Sequence, residues 1–197
     1  MSSEITNVSG AILAGGKSTR MNLPKGMIQI DGKTLISSIA SVLQAVVSDT
    51  MLIANDPVYD QCQFPVFKDI IPDKGPASGI HSALANTINE KVVIVSCDVP
   101  FVSGELFQYL LDRSAKKEIV VPVHSGKMEP LIGVYSKSIF KDLEKYLLKG
   151  EYKMHDLLKK LGAEFVQIPG DLFSEKLFTN INTPEDLRKA FPQYGSL

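Results

Sequence analysis

Apolar positions first gather at Val8–Leu13, a run of strand length that stops abruptly at Ala14-Gly15-Gly16, which predicts a buried strand opening into a bare loop. Pro24 and Gly26 extend that loop. From Thr34 onward, Leu35, Ile36, Ile39, Val42, Leu43, Val46 and Val47 recur at helical spacing, with Thr34 as the N-cap. Short apolar runs predict strands at Met51–Ile53, at Val66-Phe67 and above all at Val92–Val95, whose β-branched residues suit a central parallel strand. A polar, glycine-containing stretch at 69–79 leads into a helix expected at Ile80–Thr87. Further helices are expected at Glu105–Leu111, Ile139–Leu148 and His155–Leu161, and further strands at Ile119–Val123, Leu131–Tyr135 and Phe165–Ile168. Thr183-Pro184-Glu185-Asp186 opens a last helix with an N-cap, a first-turn proline and first-turn acids. The alternation predicts a three-layer α/β fold, a mostly parallel central sheet with helices on both faces, in a single domain spanning residues 1–197. In such sheets ligands sit beyond the carboxyl ends of the strands.

Composition narrows the partners. A chain of 197 residues can bury roughly 70% of its unfolded surface and build a core unaided. Its 21 Lys+Arg against 22 Asp+Glu leave a net charge of −1, so no overall positive field exists to hold a nucleic acid or an anionic membrane. Any polyanion must therefore be met locally. Cys62 and Cys97 form no CxxC pair, so neither a disulfide framework nor a zinc knuckle is indicated. The N-terminus MSSEITNVSG lacks a basic stretch followed by an apolar run, and no apolar stretch approaches the ~20 residues of a membrane span. A cytoplasmic protein is the expectation.

The candidate chemistry clusters in a few loops. Gly15, Gly16, Lys17, Ser18, Thr19, Arg20 and Lys25 combine bare backbone, hydroxyls and cations, as a phosphate chain requires; the plainer reading is a surface turn with solvated basic residues. Ala11-Ile-Leu-Ala-Gly15-Gly16-Lys17-Ser18 also fits a relaxed P-loop. Against it, Ile12 and Leu13 would then sit inside the phosphate cradle, and Pro24 and Gly26 would break the helix that must follow. Asp98, directly after Val92–Cys97, sets a carboxylate at the edge of the best strand, suited either to anchoring Mg²⁺ beside substrate phosphates or to capping the next turn. Cys97 has no neighbouring base and reads as a small buried hydrophobe. Asp69, Asp73 and Gly75–Gly79 form a turn into a helix whose N-terminus would favour an anion. His81, His124 and His155 are scattered, with no metal-ligand spacing. Asn180-Ile181-Asn182-Thr183 could present two amides or simply cap a helix.

Taken together, LAGGKSTRM at 13–21, Lys25, GPASGI at 75–80, SCDVPF at 96–101, EPLIGVY at 129–135 and NINTPEDL at 180–187 resemble the molybdenum cofactor guanylyltransferases, which share the nucleotide-diphospho-sugar transferase-like fold. The opening motif is common to many nucleotidyltransferases; the later three carry the narrower resemblance. It implies that Leu13, Ala14, Gly15 and Gly16 line the nucleotide, that Lys25 and Arg20 meet the triphosphate, and that Asp98 holds Mg²⁺. It also implies nucleotide contacts from Asn55 and Asp69, and contacts to the pterin from Asn180 and Asn182. The pattern departs at Asn22, where Gly is usual, and at Ser78, where Ala is common. The implied reaction joins GTP to the phosphate of Mo-molybdopterin with loss of pyrophosphate, with transient contacts to other cofactor-handling proteins. A cytidylyl- or sugar-nucleotidyltransferase, a P-loop NTPase dependent on Lys17, and a non-catalytic pterin carrier remain alternatives; a carrier would have no need of Asp98 and Lys25.

Overall fold

A computed structural model describes residues 7–15 and 24–194, so Gly16, Lys17, Arg20 and Asn22 of the opening loop lie outside the described residues. Strand β1 (Val8–Leu13) is buried along its whole length. It pairs in parallel with β4 (Asp49–Ile53) on one side and with β6 (Lys91–Ser96) on the other. Beyond β4 lies β5 (Val66–Phe67), again parallel. On the far side of β6 come β9 (Ile132–Ser136), then β7 (Ile119–His124) and β10 (Glu164–Gln167), with the short β8 (Lys127–Met128) on β7. β9 runs antiparallel to both β6 and β7, while β10 is parallel to β7. The sheet is mostly parallel, as expected, and its one reversed central strand is the neighbour of Val92–Val95.

Alternation along β1 divides the core. Val8 and Ile12 face α1 (Leu35–Leu43) and α3 (Gly104–Arg113), whereas Ala11 and Leu13 face α2 (Pro76–Asn86), α4 (Phe140–Leu148) and α5 (Met154–Lys160). Gly10 shares the first face, where an added Cβ would come within 3.2 Å of both Leu43 and Val47; the missing side chain lets α1 lie close. Because Ile12 and Leu13 are sheet residues paired on both sides, a phosphate loop cannot begin at Ala11.

Two hairpins went unread in the sequence although both carry a turn signal. β2 (Gln29–Ile30) and β3 (Lys33–Thr34) pair around Asp31-Gly32, and β7 and β8 pair around Ser125-Gly126. Both central residues of each turn have positive φ, the conformation a two-residue hairpin demands. The first hairpin packs Ile28, Ile30 and Leu35 against Ile181 and Leu187, the latter on α6 (Pro184–Ala190), which brings the C-terminal segment beside Lys25. Helix α2 starts at Pro76 rather than Ile80. The glycine and serine that resemble loop residues are there for contact, since a Cβ on Gly79 would come within 3.2 Å of Leu13. Helix α1 stops at Leu43, short of Val46-Val47. No helix among the described residues is long and apolar enough to cross a membrane.

Candidate active site

The loops leaving β1 and its two parallel neighbours diverge at the carboxyl edge, and the backbone ladder runs slightly past the strand ends. The Cys97 N–H donates to Leu13 O at 3.0 Å, the Ala14 N–H to Ile53 O at 2.9 Å, and the Ala54 N–H to Phe67 O at 2.9 Å. These bonds bring Leu13, Ala14, Gly15, Asn55 and Asp98 to one rim, at the point where the strand order reverses. Leu13 and Ala14 are buried; Gly15 is exposed, with nothing within 4 Å of where a Cβ would stand.

Lys25 reaches this rim from a short 3-10 helix, Lys25–Met27. Its Nζ donates to Asn182 Oδ1 at 2.6 Å and stands 3.8 Å from Asp98 Oδ2. The side chains of Lys25 and Asp98 are 20% and 19% exposed, half-sheltered but open to a ligand. The neighbouring Gly26 fixes this placement, because a Cβ there would collide with the Ile36 side chain and come within 3.1 Å of Tyr59 Cε1. The C-terminal segment is tied in by the Ile181 N–H, which donates to Asp98 O at 2.8 Å. Asn180 and Asn182 thus flank the residue bonded to Asp98. Asn180 donates from Nδ2 to Phe178 O at 3.3 Å and does not share the Lys25 contact. Thr183 caps α6 through a reciprocal bond with Asp186, so this segment is both a cap and a supplier of side chains to the rim.

Asn55 and Asp69 form a second pair. Asn55 Nδ2 donates to Asp69 Oδ2 at 2.8 Å, and the Asp69 N–H returns a bond to Asn55 Oδ1 at 2.9 Å. Burial lifts the Asp69 carboxyl above its ordinary value; the Asn55 bond opposes this, and Asp73 adds to it. The loop behind the pair is anchored by α2 hydroxyls: Ser82 Oγ accepts from the Ile70 N–H at 2.9 Å, and Ser78 Oγ from the Lys74 N–H at 3.1 Å. Ser78, where the family pattern commonly has Ala, therefore ties down the turn into α2. Burial pushes the Cys97 thiol up to about 12, consistent with a packing role.

One acceptor at the rim has no partner. Asp98 Oδ1 is buried and makes no hydrogen bond among the described residues, an expensive state unless something else satisfies it. No group of three or more His, Cys, Asp or Glu converges among those residues. A hard cation held by one carboxylate, with water and phosphate oxygens completing its shell, fits both facts. Glu129, one of the residues of the EPLIGVY stretch, belongs to the same rim and was not singled out from sequence. Its significance depends on a neighbour 31 positions away.

An α/β sheet whose carboxyl rim sets bare backbone, a lysine and an aspartate at the strand-order reversal defines the class of this protein, a nucleotidyltransferase. The family described as the MobA-like NTP transferase domain matches residues 10–165. A relative named "Probable molybdenum cofactor guanylyltransferase" from Carboxydothermus hydrogenoformans is 36% identical over 93% of this chain and 94% of its own. Among solved structures, the molybdopterin-guanine dinucleotide biosynthesis protein A of Archaeoglobus fulgidus aligns with a TM-score of 0.78 and 26% identity, over 96% of this chain and 100% of the other. At the level of fold alone, the 2-C-methyl-D-erythritol 4-phosphate cytidylyltransferase of Thermus thermophilus aligns with a TM-score of 0.71 and 16% identity, over 94% and 98%. The chain belongs to the MobA-like NTP transferase family, and within it to the molybdenum cofactor guanylyltransferases.

Proposed function

We propose that this protein transfers the guanylyl group of GTP to the terminal phosphate of Mo-molybdopterin, with Mg²⁺ as its metal. A phosphate oxygen of the acceptor attacks the α-phosphorus of GTP. The bond from that phosphorus to the bridging oxygen breaks, and pyrophosphate leaves with the electron pair. Two polyanions must be aligned and screened, so charge placement matters more than acid or base chemistry. The observation that carries this reading is the convergence of Lys25, Asp98 and Asn182, from three separate segments, on one point of the rim.

Lys25 faces the triphosphate and offsets charge on the departing pyrophosphate, with its ammonium aimed by Asn182. Asp98, with one buried oxygen that has no partner, would hold Mg²⁺; when bound, the ion would supply Lewis-acid polarisation of phosphoryl oxygens. Leu13, Ala14 and Gly15 line the guanine and ribose end, Gly16 and Arg20 of the adjoining loop add backbone donors and charge, and the Asn55–Asp69 pair supplies further nucleotide contacts. Asn180 and Asn182 face the pterin side. In a single domain of this kind the N-terminal part serves the nucleotide and the C-terminal part the acceptor. A labile acceptor of this kind favours brief handover contacts with cofactor-handling proteins in the cytoplasm.

Equilibrium binding of GTP, CTP and ATP, each with Mg²⁺ and with chelator, tests the reading on wild type and Lys25→Ala. GTP should bind most tightly, only with metal, and more weakly in the variant. A preference for CTP would retain the class and change the product; a preference for ATP indifferent to Lys25 would overturn the proposal.

A further inference from the structure

Glu129 is a half-buried carboxylate whose oxygens accept no hydrogen bond among the described residues. Its backbone is nevertheless firmly held: the Glu129 N–H donates to Pro122 O at 2.9 Å, and Glu129 O accepts from the Ile132 N–H at 3.0 Å. The turn it opens is pinned to the rim, since Leu131 O accepts from the Ser96 N–H at 2.9 Å and Pro130 O from the Tyr135 hydroxyl at 2.6 Å. Burial raises the Glu129 carboxyl above its ordinary value, and the nearby charge of Asp98 adds to this, while His124 and Lys127 pull the other way. His124 stacks on Phe178, with ring centroids 4.5 Å apart and planes 11° from parallel. Phe178 in turn accepts the Asn180 amide bond. This carboxylate is thus carried on a turn whose backbone bonds reach Ser96, two residues before Asp98, and Pro122, two residues before the His124 that stacks on Phe178.

A half-buried carboxylate that no described side chain or backbone group engages is informative about the ligand, because a ligand that displaces its water must bring donors. A 2-amino-4-oxopteridine ring presents two adjacent donors, N3–H and the 2-amino group, spaced to meet both oxygens of one carboxylate. We propose that Glu129 is a specificity-determining residue for the acceptor, receiving this pair of donors from the pterin ring. The proposal rests on the guanylyl-transfer reading above and extends it to recognition of the acceptor's ring.

The test is a fluorescence titration of wild type and Glu129→Gln with a 6-substituted pterin monophosphate and with its 2,4-dioxo counterpart, alongside GTP and Mn²⁺ titrations of both proteins. Wild type should favour the amino compound by about tenfold or more, and Glu129→Gln should lose that preference while binding GTP with unchanged affinity. If both proteins discriminate equally, Glu129 does not read the ring and the proposal falls while the acceptor assignment stands. If wild type binds GTP and both pterins without discriminating, no side chain reads those donors and the proposal falls while the acceptor assignment stands. If Glu129→Gln weakens Mn²⁺ instead, the carboxylate serves the cation and the proposal is wrong.

Discussion

A carboxylate with one buried, unsatisfied oxygen is held there for something. Asp98→Asn preserves the shape of that side chain and removes its charge, so the Lys25 contact and the backbone bond from Ile181 have no steric reason to change. Guanylyl transfer should fall by about 10²-fold or more with circular dichroism unchanged; near-normal turnover would sink the assigned role. Gly26 makes a complementary case, because it touches no substrate. Gly26→Ala must displace Ile36 or the short helix that carries Lys25, costing about 1–3 kcal/mol and weakening GTP binding together with stability. Urea unfolding and nucleotide titration on the same sample check both halves, and an alanine tolerated in both would show that the contact gives way. Asp98 and Lys25 could be found by reading along the chain, since one follows the most apolar strand and the other sits in a basic glycine loop. Gly26 and Glu129 could not, because Ile36 and Asp98 give them their meaning and neither neighbour is local.

Among the elements, α6 links stability to the site. Its N-cap Thr183 exchanges bonds with Asp186, and the Asn182 N–H also donates to Asp186 Oδ2 at 3.0 Å, so the cap holds the residue that aims Lys25. Thr183→Ala should cost about 1 kcal/mol, lower Tm by roughly 2–4 °C, and weaken GTP binding at the same time. A loss of Tm with nucleotide affinity untouched would separate the cap from the site. The cap was legible from Thr183-Pro184-Glu185-Asp186, because its partners lie within one turn. That α6 docks on the hairpin of β2 and β3 was not, since the contact joins Ile28 and Ile30 to Ile181 and Leu187 across most of the chain. The hairpin itself is signalled locally by Asp31-Gly32, whose positive φ values suit a two-residue turn.

At the scale of the whole molecule, α2 and α4 meet over His81. This side chain is fully buried, stacks on Phe140 with centroids 4.7 Å apart, lies 3.6 Å from Glu144, and is also influenced by Lys141 and Asp69. Burial is the largest effect and lowers its pKa below the ordinary 6.5, with Glu144 opposing. The unfolded chain therefore binds this proton more readily than the folded one. Stability attributable to the neutral ring is complete above the unfolded value and is lost as pH falls below it. Thermal melts should show Tm declining on acidification from neutral pH, with a shallower decline in His81→Leu. An equal slope in the two proteins would remove His81 from the account.

Strand and helix order, the division of the sheet into two buried faces and the positions of the strand-end loops follow from the sequence itself, because apolar periodicity and capping act over a few residues. The basic glycine loop, Asp98 and the amides of 180–182 could be named as candidates on the same basis. What only the tertiary structure decided is how these segments combine: that β9 turns antiparallel between β6 and β7, that Asn55 pairs with Asp69, and that Lys25 meets Asn182 and Asp98. Each is a contact between distant parts of the chain, set by which apolar faces must be buried together rather than by any preference the local residues possess.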